Sequence, residues 1–108
     1  MLTSNNIVQL NGYLGKDPEV VQHHRGKLVK ITLITEESYK NGKGELIRKF
    51  QSHPLCAWGE EAEKAEKLLK KGVQVYVTGK LNHNTFTDRN GTQRQVTEVR
   101  VEDIKILG

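Results

Sequence analysis

The chain has 108 residues, enough for one domain with a modest core, and carries a formal net charge of +4. A single cysteine, Cys56, excludes an intrachain disulfide framework, and no apolar run approaches the ~18 residues of a membrane span. The opening MLTSNNIVQL lacks the basic-then-apolar order of a secretory signal, so the expected address is a reducing cytoplasm.

In IVQLNGYLG, Val8, Leu10 and Leu14 share one parity, the period of a strand with one buried face. Gly12 and Gly15 are expected as bend or bulge points, Asp17-Pro18 breaks the strand, and residues 19–22 continue it briefly. His24-Arg25-Gly26-Lys27 reads as a hairpin turn. The next strand, LVKITLIT, turns Val29, Ile31 and Leu33 to one side and Lys30 and Thr32 to the other. Tyr39-Lys40-Asn41-Gly42-Lys43-Gly44 reads as a basic loop, and a third strand covers residues 46–58, with Leu55 and Ala57 opposing Phe50, Ser52 and Trp58.

Residues 60–71 predict a helix with Ala62, Ala65, Leu68 and Leu69 as its apolar stripe and Gly72 as its stop. Glu60–Lys64, Glu63–Lys67 and Glu66–Lys70 are spaced as (i, i+4) pairs. Four lysines and four glutamates make that segment neutral, which leaves the surplus positive charge to strands and loops. Residues 73–101 then read as one long hairpin, with Val73, Val75, Val77 and Leu81 alternating toward a turn at Asp88-Arg89-Asn90-Gly91. Its arm carries Lys80, Arg89 and Arg94 and a lone Phe86, with no apolar run. A bulge near Glu102-Asp103 would reconcile odd Val99 and Val101 with even Ile104 and Ile106. Five strands with one helix between the third and fourth is the order of an OB-fold, a small Greek-key barrel of the mainly all-β class.

Five of the six aromatic residues, Tyr13, Phe50, Trp58, Tyr76 and Phe86, are out of phase with the aliphatic positions; Tyr39 shares the parity of Val29, Ile31 and Leu33. Outward rings serve either a subunit interface, for which Tyr13 and Tyr76 are the better candidates, or a stacking platform for bases. The lysines and arginines interleaved with them (Lys30, Lys40, Lys43, Arg48, Lys49, Lys80 and Arg94) favour a platform for single-stranded nucleic acid.

NGYLGKDPEV (11–20), ITLITEESY (31–39), AWGEEAEKAEKLLKKGVQVYVTGKL (57–81) and the FTDRNG…TEV segment (86–99) together give the chain a strong resemblance to bacterial single-stranded DNA-binding protein, along nearly its whole length. That family stacks bases on the rings of an OB-fold. The resemblance implies one domain over 1–108 that wraps single-stranded DNA in replication, repair and recombination, with Tyr39, Trp58 and Phe86 at stacking positions. It also implies a homotetramer or dimer, with His53 at the interface. Ser52 stands where the family often has another stacking aromatic, and Phe50, two residues earlier on the same face, is the expected substitute. Pro54 and Glu60 stand at commonly basic sites, and Asn82 and Asn84 thin the charge before Phe86. These departures imply a weaker grip than is usual. The Gly/Pro-rich linker and acidic tail through which the family recruits other proteins are not among these residues, so tail-mediated partners are not expected of them.

Catalysis is not expected. His23, His24, His53, His83 and Cys56 show no metal-ligand spacing, no serine sits in a nucleophile elbow, and no Gly-rich phosphate loop precedes a helix. No cofactor or metal is therefore expected. The main rival is an OB-fold primosome-type module that dimerises and bridges replication proteins, with Tyr13 and Tyr76 as contact anchors. A duplex or RNA reader would need a groove-reading helix or 2′-OH contacts, and no helix besides 60–71 is available.

Overall fold

The computed structural model describes residues 5–107; residues 1–4, on which part of the reading of the N-terminus rests, lie outside the described residues. The elements run β1 (Val8–Leu14), β2 (Glu19–His23), β3 (Gly26–Lys40), β4 (Leu46–Trp58), α1 (Gly59–Leu68), β5 (Gln74–Thr87) and β6 (Gln93–Ile106). The sheet order is β1-β5-β6-β4-β3-β2, and β1 pairs again with β3, so five strands close into a barrel. β2 lies along the edge of β3 that β1 also uses, pairing with residues 26–30 while β1 takes Leu33 and Ile34. It is the expected continuation of the first strand. The barrel is thus the five-stranded OB architecture with its helix between the third and fourth barrel strands.

The core is aliphatic. Leu14, Val29, Ile31, Leu33, Leu55, Ala57, Val75, Val77, Val99, Val101 and Ile104 are buried, and no aromatic ring is among the buried residues described. The alternation that predicts each strand therefore marks the core side, although Leu28 and Cys56, on the opposite side of β3 and β4, are buried as well. The β6 bulge also falls where parity requires it. Thr78 pairs with Asp103 and Gly79 with Val101, leaving Glu102 as the extra residue. Gly12 is a different matter from the expected bulge. It stays in register opposite Val75, and a Cβ there would run into the main-chain carbonyl of Ile34, where β1 passes from β5 to β3. Gly12 permits a close approach of backbones at the point of closure.

The helix departs from expectation in four respects. It ends at Leu68, and Leu69 is already extended (φ −99°, ψ 142°), its N–H closing on the Ala65 carbonyl. At 3.6 residues per turn Ala62, Ala65 and Leu69 lie close to one line, whereas Leu68 is rotated about 100° from Leu69. Leu68 is accordingly exposed while the other three are buried. The (i, i+4) pairs also do not form among the ion pairs described. Lys27 of β3 takes Glu63 (3.0 Å) and Glu66, and Lys64 donates to the Ile104 carbonyl and lies 3.8 Å from Asp103. These bonds tie the helix to strands, and the ion pair described within it is the (i, i+3) contact of Lys64 with Glu61 at 4.0 Å. With Lys70 and Lys71 beyond its end, α1 contains four glutamates and two lysines and is acidic, not neutral.

Two pairs of strands run past the core as exposed arms. The β3–β4 ladder continues without a break to Lys40↔Leu46, and β5–β6 to Thr87↔Gln93. Tyr39, expected in a loop, is therefore on a strand. Both arms end in the same five-residue tip. Asn41 Oδ1 accepts from the N–H groups of Lys43 (2.9 Å) and Glu45 (3.0 Å), as Asp88 Oδ1 does from Asn90 (2.9 Å) and Thr92 (3.0 Å). Gly44 (φ 78°) and Gly91 (φ 79°) occupy equivalent left-handed positions that L-residues resist. At the root of the β5–β6 arm, Asn6 accepts from the Leu81 N–H (2.9 Å) and donates to its carbonyl (3.0 Å).

Candidate nucleic-acid interface

Residues opposite one another in a ladder point to the same side, so strand register decides which side chains can meet. Lys30 is opposite Cys56, Cys56 is level with Arg100, and Arg100 is opposite Lys80. Three cations therefore form a row across β3, β4, β6 and β5 on the outside of the barrel, with the cysteine between them. Burial, and then the nearby Glu98 carboxylate, pushes the Cys56 thiol up to about 11, so it stays a neutral, inert floor at physiological pH.

Beside this row lies an open groove of about 390 Å³, lined by Arg25, Cys56, Trp58, Asn82, Asn84, Glu98 and Arg100. Trp58 is half-buried at the strand-to-helix junction, and His23 meets its ring edge-on with centroids 5.3 Å apart. Phe86 stands opposite Arg94 farther out on the same outer face of β5 as Lys80, Asn82 and Asn84, and is 48% exposed. The structure thus brings Trp58, Phe86, Lys30, Lys80 and Arg94 onto one continuous face.

The β3–β4 arm divides the remaining candidates. Phe50 lies opposite Glu36 and Arg48 opposite Ser38, on the side continuous with Trp58, whereas Tyr39 opposite Ile47 and Lys49 opposite Glu37 point to the other side. Tyr39 (53% exposed) and Phe50 (52%) are both open to solvent, so the arm offers one ring to each side. Lys40 lies opposite Leu46 on the Phe50 side, and Lys43 sits on the tip.

The cations are not equally free. Arg48 donates to Glu36, which holds that carboxyl below the usual carboxylate range, and its guanidinium also lies over the Phe50 ring, 5.5 Å from the centroid. Arg94 donates to Asp88 at 3.0 Å. The Arg94 bond, followed by backbone donors at Thr92 and Asn90, lowers the Asp88 carboxyl too. Lys30, Lys40, Lys43, Lys49 and Lys80 enter none of the ion pairs described.

The two interface candidates do not share a face. His53 shares the inward side of β4 with Leu55 and bonds the Thr35 hydroxyl at 2.8 Å. Tyr76 faces outward on β5 opposite Asn11 of β1. Pro54 is bordered by β3 on one side only, since β6 reaches just Leu55 and Cys56. That setting tolerates a missing donor. Sequence reading overlooked Arg100 and Arg25. The outward phase of Arg100 was readable from its place between Val99 and Val101, but nothing local places the turn residue Arg25 beside Trp58.

Comparison with known proteins agrees with this geometry. The model of the Single-strand binding protein family matches residues 5–107. Single-stranded DNA-binding protein 1 of Chlorobaculum tepidum is 37% identical over 105 residues, covering 95% of this chain; the chain spans 65% of that relative's length. The structure superposes on Plasmodium falciparum SSB in complex with ssDNA with a TM-score of 0.88 at 26% identity, covering 100% of this chain and 99% of that one. A deletion variant of the single-stranded DNA binding protein from Thermus aquaticus gives 0.83 at 25% identity, over 96% of this chain and 51% of that one.

Proposed function

Because the chain belongs to the single-strand binding protein family, we propose that it binds single-stranded DNA with little regard to sequence and shields it during replication, repair and recombination, as a homo-oligomer and without catalysing a reaction. The observation that carries this is the outer face itself: exposed Phe86 and half-buried Trp58 beside the row Lys30, Arg100 and Lys80. Rings accept any base on their π-faces, while cations follow the phosphates, so neither contact depends on sequence. Tyr39 and Phe50 on the β3–β4 arm extend the platform to both sides of that arm, with Lys40, Lys43 and Lys49 supplying charge. A duplex cannot use such a surface, because its bases are stacked on one another.

The family match favours DNA binding over a primosome-type bridging role. His53 and Tyr76 remain our candidates for contacts between subunits, on separate faces, and we assign the cytoplasm as the place of action. The ion pairs at Arg48 and Arg94, with the neutral amides of Asn82 and Asn84, support a weaker grip than a fully basic surface would give. Gel-shift competition between single- and double-stranded oligonucleotides of equal length, with molar mass measured alongside, tests the reading. Single strands should displace a labelled strand far more effectively. Equal competition by duplex would overturn the proposal.

A further inference from the structure

An acidic residue in a groove built for a polyanion calls for a reason. Glu98 is half-buried beside Trp58 in the groove whose rim carries Arg25 and Arg100, and it forms no ion pair with either among the described residues. Its carboxylate is nonetheless oriented. Asn84 Nδ2 donates to Glu98 Oε1 at 3.0 Å, and Asn84 Oδ1 in turn faces Asn82 Nδ2 at 3.4 Å. In the relay Asn82, Asn84, Glu98 each amide commits one of its two N–H groups internally, and the relay ends on a group that can only accept. No hydrogen bond to Glu98 Oε2 is found among the described residues.

We propose that Glu98 makes this groove a base-reading subsite, selective for a nucleobase with an amino group on its Watson–Crick edge, of which cytosine is the simplest. The inference rests on the single-strand reading above and adds a preference at one position. A base lying against Trp58 brings its edge toward Glu98 while its phosphate stays with Arg25 and Arg100. The cytosine N4 amino group donates to the carboxylate, as in the carboxylate–cytosine pairing of groove readers. Uracil and thymine present an acceptor oxygen at the same position. Two acceptors facing each other leave both unpaired, which is what makes such a site discriminate. The volume of the groove, about 390 Å³, lies within the range of small-ligand sites.

The test uses oligo-dC and oligo-dU of equal length, which differ at that edge and carry the same phosphates, titrated by Trp58 fluorescence at mildly alkaline pH. The chain should bind oligo-dC about threefold to tenfold more tightly, the worth of one hydrogen bond. Glu98→Gln removes a negative charge and should tighten binding to both oligomers. The readout is therefore the dC/dU ratio, which should fall toward one because the carboxamide can also donate to O4. Equal affinities for the unsubstituted chain would overturn the inference and leave the single-strand reading intact. So would a Glu98→Gln variant that keeps its ratio, since Glu98 would then act only as a brake on phosphate binding. Failure of both oligomers to bind would remove the single-strand reading, and this inference with it.

Discussion

β3, β4, β5 and β6 each pass through two environments. Within the barrel, Val29, Ile31, Leu33, Leu55, Val75 and Val99 are buried on one side and polar residues meet water on the other. Past Thr35 on β3 and Gly79 on β5 the same strands continue with their ladders intact, but nearly every side chain is exposed on both faces. The core that makes the barrel stable makes no claim on the arms, which are held by backbone pairing and a side-chain-bonded tip. An element free of packing duties can give both faces to a ligand, and that is how one arm offers Tyr39 on one side and Phe50 on the other.

Substitutions should separate these two regimes, and the body should show the larger effects. Leu33→Ala leaves a hole among fully buried aliphatics and should cost about 2–5 kcal/mol in denaturant unfolding, whereas Tyr39→Ala should stay within about 0.5 kcal/mol. Comparable losses at both sites would mean that the arms are packed against something after all. Binding should invert the ranking. Trp58→Ala and Phe86→Ala are each expected to cost about 1–3 kcal/mol of affinity for oligo-dT with the unfolding midpoint nearly unchanged. A module that bridges proteins would lose almost nothing.

Salt dependence refines the comparison among cations. Each neutralised phosphate contributes about −0.7 to the slope of log affinity against log salt, so Lys80→Ala should flatten that slope by about this amount. Arg48→Ala should flatten it less, because Glu36 already holds the guanidinium. The smallest effect concerns the tips. The Asp88 carboxyl is lowered in the folded chain, chiefly by Arg94, so the stabilisation it provides is present above the ordinary value of about 3.9 and fades as pH falls through the folded value. Asn41 cannot titrate. In acid, amide exchange should quicken at Asn90 and Thr92 while Lys43 and Glu45 keep their protection. The Glu36–Arg48 pair weakens in the same direction but lies below the Asn41 tip. Equal loosening of both tips would point to a cause other than Asp88.

Much of the body was legible in the order of residues because burial imposes a period of two. β4 begins and ends where it was expected, and the Glu102 bulge follows from the parity change between Val101 and Ile104. The end of β3 is harder to read, since with both faces wet no period remains to mark a strand, and Tyr39 therefore reads as part of a loop. The helix stopped early because Leu69 is needed in the core, a requirement set by the barrel and not by local propensity. As for the site, phase alone sent Trp58 and Phe86 outward. The convergence of Arg25, Glu98 and Arg100 on Trp58 depends on barrel closure across residues far apart in the chain, and the capture of Arg48 and Arg94 by acids depends on rotamers.

Long strands with bare sides invite unwanted neighbours, because an unpaired row of N–H and C=O groups will accept a strand from another molecule. Where β5 runs beyond its pairing with β1, Asn6 satisfies both main-chain groups of Leu81 with one amide. A single side chain thus takes the place of a missing strand at the first open rung of β5 beyond β1, so that rung is closed to an intruding polypeptide.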